Sequence, residues 1–341
     1  MSKKYLVCLI LFFTFLLCQL AEAAKINIPP LQANLLKNKV RLIQLFTTAG
    51  IDNAESLFSD PRLKLHYEFW KGGDSEPWEP MMSPKSIERG KETIALNFEF
   101  LQEMEAKYGV PKEVLVSIFR IETNLGNNTG QYIVFNSLLT WTVSNTRRWK
   151  WAQQELVTFL IICKNLSLDP FNIPGSTHGA FGLTQFIPTS YLLFAVAAKG
   201  GEYPDLFNFK DAISCTAYYL QKCGWDPKNE KRQRRSVYAY NYSTPYVNAV
   251  FKYAKAIKIN EKEARRIREA KEVIDLANKP QIEEEFNQKN DIELRFRREG
   301  SLDELIQNSE KRNASQIPDA VPIQVLQDNV EKQSRENMQE N

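Results

Sequence analysis

Histidine is almost absent from this 341-residue chain: only His66 and His178 occur. No Cys/His group has zinc-site spacing, which argues against a metal centre built on imidazole. Two histidines would still serve a Ser-His-Asp hydrolase, but no Gly-x-Ser-x-Gly elbow appears. Cysteine is also sparse. Beyond residue 23 only Cys163, Cys215 and Cys223 remain, an odd and scattered set unlike a disulfide framework. One bridge stays open in an oxidising compartment, although Cys215 and Cys223 would face different ways if they share one helix. Excess charge is lacking too. A net charge of +3 argues against a dedicated nucleic-acid binder and leaves room for a local basic patch. Alternating strand patterns and internal repeats are missing as well.

What is present begins with an export pattern. A basic start "MSKK", the apolar run "YLVCLILFFTFLLCQL" and "AEA" at 21–23 describe a secretory signal peptide over residues 1–23. An uncleaved anchor is the alternative, but the run is short against the roughly 20 residues of a spanning helix. Cys18 lacks the small preceding residues of a lipoprotein signal.

The remainder reads as mainly α, with 43% hydrophobic and 11% aromatic residues to build a core. Helix, turn and short helix are expected over 31–70. A Pro/Gly/Trp loop follows at "KGGDSEPWEPMMSPKS", then one amphipathic helix at "SIERGKETIALNFEFLQEMEAKYGV". "PKEVLVSIFRIETNLG" is a further helix, with Pro111 suited to its first turn and Gly126 to its end. Helical spacing recurs at 151–167, 188–198, 210–223 and 244–257. From 259 the chain becomes charge-dense and poor in aromatics, a texture that cannot build its own core. A solvated helix and disordered tail, or a partner-binding extension, both fit residues 259–341.

Glu122 is the first candidate for chemistry. Leu115, Ile118 and Phe119 lie seven, four and three residues before it, so all four share one helix face. Burial on that face raises a carboxyl pKa and makes a proton donor for a poor leaving group such as a glycosidic oxygen. A structural Glu, capping a loop or paired with Arg120, fits equally. The second cluster is "GSTHGAFGLTQFIPTSY" (175–191), where Gly175, Gly179 and Gly182 surround Gln185 ahead of Pro188. Such glycines let backbone approach a ligand, and the amide both donates and accepts. An ordinary loop entering a helix has the same composition. The third is "YAYNYSTPYV" (238–247), with Tyr240, Asn241, Ser243 and Tyr246. Rings of this kind stack on sugars, or simply pack.

Taken in order, the blocks "YGVPKEVLVSIFRIETNLG", "TRRWKWAQQELVTFL", "LDPFNIPGSTHGAFGLTQFIPTSY", "DAISCTAYYLQKCGW" and "YNYSTPYVNAVFKYA" resemble the lytic murein transglycosylases of the membrane-bound lytic transglycosylase B type, over roughly 35–255. The resemblance implies a lysozyme-like goose-type helical catalytic domain at 91–258, accessory helices and a loop at 24–90, and the charged extension at 259–341. It implies Glu122 as a single catalytic acid/base, with Ser176, Gln185, Tyr240, Asn241 and Tyr246 lining the substrate cleft. The implied substrate is the peptidoglycan glycan strand, cleaved between N-acetylmuramic acid and N-acetylglucosamine to leave a 1,6-anhydromuramyl end. A hydrolytic muramidase or a non-catalytic peptidoglycan-binding scaffold are the alternatives. A periplasmic monomer is implied, with or without membrane association, and with 259–341 free to recruit a protein partner. No cofactor and no nucleic acid are expected. The chain departs from the family pattern at the acidic calcium loop. There, "AVAAKGGEYPDLFNFKDAI" places Ala197, Lys199 and Gly201 where Asp is usual, so no metal is expected. His178 also stands where a small residue is usual.

Overall fold

A computed structural model describes residues 30–70, 79–200 and 203–278. The expected signal peptide at 1–23, residues 71–78 of the Pro/Gly/Trp loop, Gly201 and the tail beyond 278 lie outside the described residues. The fold is mainly α, as the patterning predicts. The chain runs through α1 (Pro30–Thr48), α2 (Pro84–Leu96), α3 (Phe98–Tyr108), α4 (Lys112–Thr123), α5 (Val134–Thr142), α6 (Trp149–Asn165) and α7 (Pro188–Phe194). It continues through α8 (Phe209–Lys222), α9 (Glu230–Tyr240) and α10 (Thr244–Ala256), and ends in α11 at residues 261–278. Among the described residues the only sheet pairs β1 (Tyr132–Ile133) antiparallel with β2 (Pro174–Gly175), Tyr132 opposite Gly175.

Three helical expectations change. The single helix expected over 86–110 is two, because Asn97 leaves helical geometry at φ −120°, ψ 25° and donates its side-chain amide to Thr93 O at 3.0 Å. Short amides that bond to nearby backbone compete with helix continuation. α5 escaped the sequence reading since every residue from Val134 to Thr142 is buried, which erases the amphipathic period. α9 escaped it for the opposite reason: only Ser236 and Val237 are buried.

Two cores organise the molecule. In one, α4 is surrounded by α2, α3, α8 and α10 through Leu101, Leu115, Ile118, Ile213, Val250 and Tyr253. In the other, α1 packs Leu35, Leu42 and Phe46 against Phe135 and Leu139 of α5 and Leu156 and Phe159 of α6. Tyr219 and Tyr240 border both. The divisions placed at 90 and 258 do not separate these cores. Residue 90 falls inside α2, and Ile257, Ile259 and Ala264 belong to the α4 core. α11 is docked rather than solvated along its first turns. Arg268 bonds Glu99 at 2.8 Å and Ala95 O at 3.1 Å, and Lys91 reaches Glu263 at 3.0 Å. Among the described residues no helix is long and apolar enough to cross a membrane. Cys163, Cys215 and Cys223 are free thiols.

Candidate active site

Glu122 occupies the last turn of α4, half-buried where the two cores meet. Its Oε1 accepts a 2.6 Å hydrogen bond from Tyr246 Oη. Burial pushes the carboxyl up to about 7, against the opposing pull of that bond. Arg120, the structural partner open at sequence level, instead donates from Nε to Ser86 Oγ at 2.9 Å. Tyr246 is buried in the first turn of α10, and the Ser243 hydroxyl accepts from its N–H at 3.3 Å. Burial also raises the Tyr246 phenol well above its ordinary range, so it stays a hydrogen-bond donor.

The backbone beyond Glu122 is strained. Asn124, Leu125 and Gly126 hold successive left-handed φ values of 55°, 57° and 84°. Two of them are not glycine, an arrangement that persists only when its surroundings enforce it. Arg89 enforces it by donating to Asn124 Oδ1 and to Asn124 O, both at 3.0 Å. Thr123 ties the same turn to the glycine-rich loop, donating from Oγ1 to Leu183 O at 2.7 Å and accepting from Gly126 N at 3.2 Å. The helix ends on Asn124 in the left-handed region, two residues before the Gly126 stop expected from sequence.

The glycine-rich loop closes another side. Gln185, itself at φ 53°, donates from Nε2 to Thr129 O at 3.1 Å and Gly182 O at 3.0 Å. Its carbonyl oxygen takes no bond among the described residues. The glycines act differently from the close-approach reading. A Cβ at Gly179 would sit 2.5 Å from Leu138, and one at Gly182 2.4 Å from Leu206 Cβ. They make room for protein packing rather than for a ligand. Ser176 spends its hydroxyl oxygen on its own turn, accepting from Ala180 N at 3.0 Å and His178 N at 3.3 Å. Its proton remains to donate. His178 lies half-buried on Trp141, ring centroids 5.0 Å apart.

Tyr240 fixes the third side, donating to Thr184 O at 2.6 Å. Its ring packs against Tyr219 at 4.9 Å and Phe186 at 5.8 Å. Asn241 ends α9 and its side chain is exposed, without a hydrogen bond among the described residues. A cavity of about 400 Å³ opens beside these groups, lined by Trp151, Gln185, Thr189, Tyr219, Tyr240 and Tyr242 among others. All three predicted segments thus converge, though the direct partner of Glu122 is Tyr246.

Sequence reading missed a second high-pKa carboxyl. Glu155, buried on α6, is also pushed up to about 7 by burial. Its Oε1 accepts from Thr189 Oγ1 at 2.7 Å and its Oε2 from Thr189 N at 2.9 Å, so it holds the start of α7. The detectable signal was its place between Ala152 and Phe159, three residues after one and four before the other, on an apolar stripe. In the altered calcium loop, Asp211 braces backbone: Oδ1 accepts from Ala198 N at 2.8 Å and Oδ2 from Asp205 N at 2.9 Å. Among the described residues no cluster of three or more His, Cys, Asp or Glu could hold a metal ion.

This helical arrangement is a lysozyme-like fold, shared with solved lytic transglycosylases of low sequence identity. Residues 77–237 match the family model of the transglycosylase SLT domain. The match stops short of Tyr240 and Tyr246. Against the membrane-bound lytic murein transglycosylase B of Escherichia coli the chain is 37% identical over 118 residues, 35% of this chain and 33% of that protein. The alignment therefore spans about a third of the curated relative's length. The soluble lytic transglycosylase SltB1 of Pseudomonas aeruginosa superposes with a TM-score of 0.58 at 23% identity, over 64% of this chain and 98% of that one. SltB3 of the same organism, in complex with NAG-NAM-pentapeptide, gives 0.58 at 21% identity, over 67% and 80%. These superpositions establish a shared lysozyme-like fold.

Proposed function

We propose that the chain is a lytic transglycosylase that cuts the β-1,4 bond between N-acetylmuramic acid and N-acetylglucosamine in peptidoglycan. The carrying observation is the Glu122 carboxyl, pushed up to about 7 and held, among the described residues, by a single neutral donor, Tyr246. Such a group is part protonated and part ionised at neutral pH, which suits one residue acting as acid and then base.

In the first step the protonated Glu122 gives its proton to the glycosidic oxygen as the C1–O bond breaks. The muramyl acetamido oxygen supports the electron-poor C1. Tyr246 then stabilises the carboxylate that has formed. In the second step that carboxylate removes the proton of the muramyl 6-hydroxyl, whose oxygen bonds to C1 and closes the 1,6-anhydro ring. Glu122 is protonated again and no water is consumed. Proximity favours the internal hydroxyl over solvent. Gln185 offers its free carbonyl oxygen, and Asn241 its exposed amide, to substrate polar groups. Tyr240 shapes the wall, and Ser176 offers a donor.

Most glycoside hydrolases pair the acid with a second carboxylate that activates water or attacks C1. Glu155 does not fit that part, since Thr189 holds both of its oxygens. The match to the transglycosylase SLT domain model and the similarity to a lytic murein transglycosylase support the peptidoglycan assignment. The pattern at 1–23 supports export to the periplasm. Mass spectrometry of digested sacculi tests the reading: anhydromuramyl products are expected with the wild type and none with Glu122→Gln. Reducing-end products would replace transglycosylation with hydrolysis, and unchanged activity in Glu122→Gln would remove Glu122 from the chemistry.

A further inference from the structure

α9 carries an unusual face just outside the cleft. Lys231, Arg234, Arg235 and Tyr238 follow each other at helical spacing along "EKRQRRSVYAY". Arg232, off that stripe, pairs with Asp226 at 3.5 Å, but Lys231, Arg234 and Arg235 make no ion pair among the described residues. Arg234 is steered instead by neutral groups: it hydrogen-bonds Asn248 Oδ1 and lies 5.5 Å over the Phe251 ring. Arg234, Arg235 and Tyr238 line a cavity of about 290 Å³ with Thr244 and Val247 of α10.

Two exposed tyrosines connect this cavity to the larger one beside Gln185 and Tyr240. Tyr238, 40% exposed, meets Tyr242, 80% exposed, edge to face at 5.5 Å. Tyr238 lines the basic cavity, whereas Tyr242 lines the larger cavity shared with Gln185 and Tyr240. A ligand seated beside Gln185 and carrying an anionic branch can therefore pass over Tyr242 onto the arginines. Cations left without partners beside exposed rings recognise carboxylates by charge-assisted hydrogen bonds. We propose that this face binds the carboxylates of the peptide stem on the muramyl lactyl group, so that the enzyme selects glycan strands that still bear their stems. The proposal rests on the peptidoglycan reading given above.

The experiment compares peptide-bearing strands with strands stripped by an amidase, using the full chain and Arg235→Glu. The ratio of kcat/KM between the two substrates is expected to favour stems by about tenfold, the size of one or two charge-assisted bonds. In Arg235→Glu that ratio should fall to about one, through KM. A ratio unchanged by the substitution, or a wild-type ratio already near one, overturns the proposal. A second arm needs no catalysis: the affinity of Glu122→Gln for peptide-bearing and peptide-free oligosaccharides, with and without Arg235→Glu. If the wild type releases no anhydro ends from either substrate, the activity reading fails, and the binding preference alone then decides the stem site. Binding to phosphatidylglycerol vesicles, lost in Arg235→Glu while the substrate ratio stays fixed, would assign the face to a membrane surface and refute the stem site.

Discussion

Glu122 and Glu155 have nearly the same pKa and opposite occupations. Burial pushes each carboxyl up to about 7. Among the described residues Glu122 has a single side-chain donor, Tyr246, and it sits at a helix end followed by three left-handed residues. Glu155 sits mid-helix, with both oxygens taken by Thr189. A raised pKa therefore marks burial, and only the unfilled hydrogen-bonding capacity marks a group that can exchange protons with a ligand.

The same substitution in both places gives the largest contrast. Glu122→Gln should lower kcat by about 10³-fold, within the range for a lost general acid/base, whereas Glu155→Gln should leave kcat within a few-fold. Gln keeps a carbonyl acceptor for Thr189 N, and the Thr189 hydroxyl can turn to accept from the new amide. Rates of anhydromuropeptide release from sacculi read both.

Stability should move the other way at Glu122. A carboxyl whose folded pKa lies above its ordinary 4.5 binds its proton more tightly folded than unfolded. Its contribution is therefore intact below pH 4.5, declines as pH rises towards 7, and stays low above. Glu122→Gln escapes that loss. It should be more stable than wild type by up to about 3 kcal/mol at pH 8 and equal to it near pH 4, by urea unfolding. A constant difference across pH would mean that Glu122 is not buried as described. Glu155→Ala should instead cost about 2 kcal/mol at either pH, because Thr189 loses both acceptors. Tyr246→Phe ranks next, with kcat/KM down about tenfold, the net worth of one bond to a charged group. Losing that donor raises the Glu122 pKa further, so the alkaline limb of the profile should move to higher pH; a shift to lower pH would contradict the hydrogen bond.

How much of this was legible in the chain follows from which residues leave a periodic trace. Leu115, Ile118 and Phe119 announced the buried face of α4, and Glu122 stood out against them. The same trace was present around Glu155, but no turn or glycine cluster beside it drew attention. α5, buried all round, and α9, nearly all exposed, gave no stripe to read. In the glycine-rich loop, Leu138 and Leu206 occupy the space that Gly179 and Gly182 leave, so composition alone does not separate close packing from close approach of a ligand. Arg89, 33 residues before Glu122 in sequence, could not be assigned from spacing at all. Its clamp on Asn124 exists only once α2 packs against α4.

That clamp supplies the finest test of the comparison, since the two glutamates differ in backbone as well as in partners. Asn124 accepts from Arg89 through its side chain and its carbonyl while held at φ 55°. Replacing it with Gly or Ala removes the same side-chain acceptor, so the difference between the two variants isolates the left-handed backbone. Asn124→Ala should be less stable than Asn124→Gly by about 1 kcal/mol, the cost of Cβ crowding in that region. If Ala is as stable as Gly, the turn after Glu122 is relaxed. If Ala also lowers kcat more than Gly does, with KM unchanged, the turn aims the acid as well as ending the helix.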